Sequence, residues 1–303
     1  MVAPTPPLPE TGVPSPNALK EKALRSLGSL PPFSPILNRL LASLANEDVS
    51  FTRLADLVEK DTVVSANVLH LVNSALYARR GTVNSVRHAL SLLGINKLRN
   101  AVLGMSIARM WNQVRAPEHW SMSRFNMHSV ACAQLADLLA QKVPVAYPEG
   151  AFVAGLLHDV GRLLIAVGLP DHWEQIVQRT RHEGCSAKQA EEDLLGFTHA
   201  ELSANALVSW NLPVPIQEAV RDHHLTFSAL PGGDAPLAVL VRAADDYANS
   251  AGITSIPHQG NPVADPSVLG CVGLNANQQK SLIEEFEADF ASMLPFYRES
   301  IPS

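Results

Sequence analysis

Seven residues with metal-ligating side chains fall on or at the ends of segments with helical spacing: His128, His158, Asp159, His199, His223, His224 and Asp245. The sharpest stretch is Gly155-Leu156-Leu157-His158-Asp159-Val160-Gly161-Arg162-Leu163-Leu164, an ionisable doublet between two apolar runs with a glycine on either side. An unpaired imidazole or carboxylate is costly to bury, so the doublet calls for a metal ion or a second polar cluster as partner. Imidazole nitrogen and carboxylate oxygen suit iron, manganese, zinc, nickel or magnesium to different degrees, and no thiolate is placed to narrow the choice. Helical bundles build metal sites from side chains on facing helices. A helical histidine also serves as a packed or hydrogen-bonded structural group, and spacing alone leaves both readings open.

The elements that must position these residues read as helices throughout. Residues 1–16 are proline-rich and aperiodic, a disordered leader. Helices are then predicted from Asn17 to about Leu30, Ile36 to Ala45, and Phe51 to Glu59 with Ser50 as N-cap. Asp61 caps the next, in which Val64, Val68, Leu71, Val72 and Ala75 share a face and Asn73-Ser74 close the last turns. Gly81 and Asn84 mark a loop before helices from Ser85 to Leu93, closed by Gly94, and from Lys97 to about Trp111. Beyond Pro117 come Met122–Gln141 with His128, then Ala151–Val167 as one helix holding His158 and Asp159. Trp173–Glu183, Ser186–Leu195 and His199–Trp210 follow, then a helix opened by Pro213 and Pro215 that ends near His223-His224. A Pro/Gly loop over 229–235 leads to Pro236–Ser250 with Asp245 and Asp246. Residues 251–273 read as irregular, and a last amphipathic helix spaces Leu282, Phe286 and Phe290 four apart. No segment sustains a period of two, so the fold class is all-α: a multi-helix bundle of two packed subdomains, 17–115 and 116–250, joined near residues 112–120. Residues 251–303 form an irregular segment plus the final helix. An exposed Phe286/Phe290 stripe would favour a homodimer over a covering role for that helix.

With 47% hydrophobic and 17% charged residues in 303, the chain has the composition of a folded globular protein. A net charge of −6 gives no electrostatic reason to expect nucleic acid or an anionic membrane. The group Arg79-Arg80, Arg87, Lys97 and Arg99 reads as a solvated face. Cys132, Cys185 and Cys271 are far apart, which points to a reducing compartment and to neither a disulfide frame nor a thiolate site. No signal peptide and no apolar run near the roughly 20 residues of a membrane span is read, so a cytoplasmic location is expected.

Gly155-Leu156-Leu157-His158-Asp159-Val160-Gly161 resembles the signature of the HD superfamily of helical metal-dependent phosphohydrolases. Other blocks narrow the resemblance to the HDOD branch, a family of bacterial signalling output domains. They are Leu30-Pro31-Pro32, Asp61 leading to Val68 through Ala75, Ser85 through Leu90, and Leu92-Leu93-Gly94. Phe197 through Leu202, Trp210-Asn211-Leu212-Pro213 and His223-His224 follow in the expected order, so the resemblance covers residues 25–250. It implies an HD-like second half. HDOD domains are regarded as regulatory modules without demonstrated catalysis. The ligand pattern of the related HD-GYP phosphodiesterases maps here onto the seven residues named above. The chain departs from that branch at Leu225-Thr226-Phe227-Ser228, where Gly-Tyr-Pro is missing, and at Arg162, where lysine is common.

Two functions follow from the resemblance. One is a regulatory signalling module that binds a divalent metal such as iron or manganese and acts on signalling proteins in trans. The other is a metal-dependent phosphohydrolase acting on a nucleotide or cyclic dinucleotide. In the hydrolase, Asp159 would bridge two ions, with His158 and Asp245 on one and His199, His223 and His224 on the other; His128 would complete or orient the set. A hydrolase also needs cationic side chains for a small phosphate ligand, for which Arg124, Arg162, Arg221 and Arg242 are the candidates.

Overall fold

A computed structural model describes residues 15–44, 50–74, 82–225, 234–257 and 262–298. Among them the regular structure is helical, apart from one isolated bridge between Val145 and Ala235. The all-α expectation holds. The proline-rich leader up to residue 14, Ala75, Arg79-Arg80, Gly81 and most of the 229–235 loop lie outside the described residues.

The first helices are α1 (Pro16–Arg25), α2 (Pro35–Ala42), α3 (Phe51–Glu59), α4 (Thr62–Val72), α5 (Val86–Leu93) and α6 (Ile95–Trp111). Their starts are chemically defined, because a side-chain oxygen satisfies an amide that the helix leaves open. Ser50 Oγ accepts from the Arg53 N–H at 3.3 Å, and Asp61 Oδ1 from those of Val63 and Val64 at 3.1 and 3.0 Å. Asn73 closes α4 by donating to the Leu69 carbonyl, and it also exchanges bonds with the Val83 N–H and C=O. Gly94 separates α5 from α6 at φ +79°, a left-handed conformation that glycine adopts without strain.

The rest of the chain forms α7 (Met122–Ala140), α8 (Ala151–Leu157), α9 (Val160–Gly168), α10 (Pro170–His182), α11 (Ala187–Leu195), α12 (His199–Ser209), α13 (Val214–Asp222), α14 (Leu237–Ser250) and α15 (Ala276–Arg298). One continuous apolar core runs through all of these elements. Helix α1 packs against α9 and α12, while α15 lies along α7 and reaches α4 and α6. The first and last of the described helices therefore tie the bundle together.

Three expectations need correction. The single helix predicted over 151–167 is two, broken at His158 and Asp159, where the Asp159 backbone turns to φ −99° and ψ 6°. The stretch Pro148–Gly168, 21 residues long, does contain an 18-residue run of mean hydropathy 1.6 that matches a membrane span in length and apolarity, but 94% of that run is buried inside the bundle. It is a core segment here. The 251–273 segment is not wholly irregular, since Pro266–Val272 forms a 3-10 helix. Phe286 and Phe290 are buried and their rings stack at 5.2 Å, so this stripe is used within the chain.

Candidate metal centre

Five elements bring the seven predicted residues into one buried cluster. Helix α7 supplies His128, the α8–α9 break supplies His158 and Asp159, and α12 begins at His199. His223 and His224 follow α13, and Asp245 stands on α14. All but His224 are buried.

The flanking glycines explain how the helices come this close. A Cβ on Gly155 would lie 2.6 Å from the Cys132 carbonyl oxygen and 2.8 Å from Ala133 Cα. At Gly161 it would lie 2.0 Å from the His199 carbonyl oxygen. The Gly161 N–H donates to Ser203 Oγ at 2.8 Å, fixing α9 on α12. The doublet sits at the end of one close approach and the start of the other.

Within the cluster His128 Nε2 is 3.3 Å from Asp159 Oδ2 and 3.1 Å from Asp245 Oδ1. His158 Nε2 is 3.5 Å from Asp159 Oδ1 and 3.7 Å from Asp245 Oδ1. His199 Nε2 is 3.2 Å from Asp159 Oδ1 and 2.9 Å from His224 Nε2. His223 stacks obliquely on His224, with centroids 3.9 Å apart, and meets His158 edge-on at 5.1 Å.

The outer nitrogens are held by main chain or carboxylate. His128 Nδ1 reaches the Ile253 carbonyl at 2.8 Å, His158 Nδ1 that of Gly155 at 2.8 Å, and His223 Nδ1 that of Val220 at 2.6 Å. Nδ1 must donate to a carbonyl, so Nε2 of a neutral ring presents a lone pair inward, as metal ligation requires.

Burial opposes every charge here, and the neighbours decide the outcome. Against burial, the Cys132 sulfur and the Asp159 and Asp245 carboxylates hold His128 well above the ordinary histidine range. Asp159 is held well below the carboxylate range by Arg162 and then His158, and Asp245 by His128 and then by the His158 ring 3.7 Å away. Burial and then His224 push His223 well down, while burial and then His199 push His224 down to about 3. The last two rings stay neutral at physiological pH.

Three groups of donors could each hold an ion: His128, Cys132, His158 and Asp245; His158, Asp159 and His223; and His199, His223 and His224. In each the ligand atoms lie within 4.8 Å of one another. Cys132 corrects the expectation that no thiol stands near a metal site. Its Sγ is 3.7 Å from His128 Nε2, one turn along α7, and burial raises the thiol to about 11. Glu191, Ser255 and Asn249 were not singled out from the sequence, yet they bond His199, Asp159 and Asp245. Glu191 had a visible signal: it shares an otherwise apolar face of α11 with Leu195. Ser255 lies in the segment read as irregular and had none.

The comparisons with known proteins agree with this geometry. The HDOD domain family matches residues 30–226. An HDOD domain protein of unknown function from Geobacter sulfurreducens is 26% identical, with a TM-score of 0.73 over 93% of this chain and 98% of that one. A protein from Shewanella amazonensis described as a candidate phosphohydrolase is 25% identical, with a TM-score of 0.67 over 91% and 98%. A candidate signal transduction protein from Marinobacter aquaeolei shares the fold at 22% identity, TM-score 0.69, over 94% and 66%. Among curated sequences, an uncharacterized Treponema pallidum protein is 20% identical over 65% of this chain, and YuxH of Bacillus subtilis 25% over 41%. The matches span only 38% and 30% of those longer proteins. With the family matched over most of its length and the HD-type cluster assembled, the chain belongs to the HDOD family.

Proposed function

We propose that the chain is a bacterial regulatory signalling module whose His/Asp cluster binds a divalent metal, iron or manganese, without hydrolysing a phosphate ester. The observation that carries this reading is how the neighbouring arginines are used. Arg162 Nη1 donates to Asp159 Oδ2 at 2.6 Å and to Ser255 Oγ at 2.5 Å, so its guanidinium faces a ligand and not a substrate space. Arg221 pairs with Asp222, and Arg242 with Asp246 and the Leu225 carbonyl. Three of the four arginines that were candidates for binding a phosphate are thus already paired within the chain.

The metal fits the donors, because His158 Nε2, Asp159 Oδ1 and His223 Nε2 are buried without hydrogen-bond partners. Such atoms are costly unless an ion or water completes them. Bound there, the ion would link α8, α9 and α13 and add its binding free energy to the fold. The module acts in the cytoplasm, where its three free cysteines remain reduced, and its signalling partners act in trans. A homodimer, if one forms, uses a surface other than the buried Phe286/Phe290 stripe.

Elemental analysis of untagged protein tests the metal, and bis-p-nitrophenyl phosphate and cyclic dinucleotides test hydrolysis. Bound iron or manganese, lost in His158→Ala and Asp159→Ala, with no turnover, is expected. Turnover abolished by the same substitutions would establish the hydrolase instead. Protein that takes up no added Mn²⁺ or Fe²⁺ would refute the metal.

A further inference from the structure

The two carboxylate oxygens of Asp159 have different surroundings. Oδ2 accepts from Arg162 Nη1 and from Ser255 Oγ at 2.9 Å, whereas Oδ1 accepts no hydrogen bond and faces His158 and His199. A carboxylate that bridges two metal ions through both of its oxygens needs each of them free. Here one is already bound to a cation that is part of the chain.

Given that the cluster binds metal, as proposed above, we propose that Arg162 takes the place of a second ion and limits the centre to a single divalent metal. That ion sits on His158 Nε2, Asp159 Oδ1 and His223 Nε2, the three open inward atoms.

Arg162 is well fixed for this part. It is 6% exposed, and besides Asp159 and Ser255 its Nε lies 3.9 Å from Glu191 Oε1. A guanidinium does not lose its proton in proteins, so it cannot turn into a metal ligand. Withdrawing it would leave the buried carboxylates of Asp159 and Glu191 without their neighbouring guanidinium, which is unfavourable. Glu191 in turn accepts the His199 N–H at 2.8 Å and holds His199 Nδ1 at 2.6 Å. The guanidinium of Arg162 thus lies between the two carboxylates, hydrogen-bonded to Asp159 and 3.9 Å from Glu191.

His158 and His223 each belong to two of the three donor groups, so an ion held by both draws a ligand from each of the other two groups. His128 Nε2 lies between Asp159 and Asp245, Asp245 Oδ1 also accepts from Asn249 at 2.7 Å, and His199 Nε2 meets His224. Arg162 and one divalent ion already face the carboxylates of Asp159, Asp245 and Glu191, and a second ion would add further positive charge to a buried site.

Metal stoichiometry is the test, measured on the full chain by equilibrium dialysis against Mn²⁺, elemental analysis and electron paramagnetic resonance. Wild type and Arg162→Lys should saturate at about one ion per chain with an uncoupled Mn²⁺ signal, and Arg162→Gln should rise to about two with spin coupling. Two coupled ions in wild type would overturn the proposal, as would an Arg162→Gln variant that folds and stays at one. Should that variant fail to fold, the wild-type count still decides, since two ions with Arg162 in place refute it. No ion in wild type would instead refute the metal reading beneath it.

Discussion

Glu191 holds His199 at two points: the same carboxylate oxygen accepts the His199 backbone N–H at 2.8 Å and lies 2.6 Å from its Nδ1. Helix α11 thereby sets both the start of α12 and the direction of the His199 ring. The His199 ring in turn lies 3.2 Å from Asp159 Oδ1, and groups that orient a ligand from outside typically contribute about 10–100-fold to metal affinity. Glu191→Ala should weaken Mn²⁺ binding by about that factor, measured by competition with a chelating dye, and Glu191→Gln should weaken it less. Unchanged affinity in both would show that His199 needs no such support.

The two glycines flanking the doublet should be intolerant of even a methyl group. At Gly155 and Gly161 the added carbon would overlap main-chain atoms, whereas at Gly28 nothing lies within 4 Å. Gly155→Ala and Gly161→Ala should each destabilise by about 1–3 kcal/mol or more in urea unfolding. Gly28→Ala should lie within about 0.5 kcal/mol of wild type. Equal effects at all three would mean that the helices do not approach as described.

The metal-free protein should be most stable near neutrality. His223 and His224 have folded values below the ordinary 6.5, so their contribution is lost as pH falls below about 6.5, where the unfolded chain binds more protons. His128 has a raised value, so its contribution is complete below about 6.5 and is lost as pH rises through its folded value. Asp159 and Asp245, both lowered, add a further loss only below about 3.8. Unfolding midpoints from pH 4 to 9 should trace a maximum, and His128→Gln should remove the alkaline decline. A wild-type midpoint that rises steadily to pH 9 would contradict the placement of His128.

Tyr297 offers a separate check on how α15 docks. Its ring is buried and its hydroxyl has no hydrogen-bond partner. Losing the hydroxyl alone should therefore be neutral or stabilising, within about 1 kcal/mol. Tyr297→Ala should cost about 3–5 kcal/mol by opening a cavity against α6. A large loss in Tyr297→Phe would reveal a partner for that oxygen.

Helix starts were legible because caps are local chemistry: Ser50 and Asp61 each satisfy amides two or three residues on. The residue types of the cluster were legible too, since a His-Asp pair in an apolar run calls for a metal ion or a polar partner. The break at 158–159 was not, because apolar periodicity continues across it while the backbone turns. Arg162 was visible only as a residue; its direction depends on Glu191 and Ser255, 29 and 93 positions away in the chain. Contacts of that range leave no spacing to read.

The apolar core stretch Pro148–Gly168 carries one more consequence, for the chain before it folds. Until α7, α12 and α14 surround it, this stretch has the length and apolarity that lipid accepts. Asp159 stands near its middle, where an ionised aspartate raises the free energy of entering a bilayer by about 3 kcal/mol. The doublet at the metal centre therefore also biases the unfolded segment away from lipid and toward its place in the bundle.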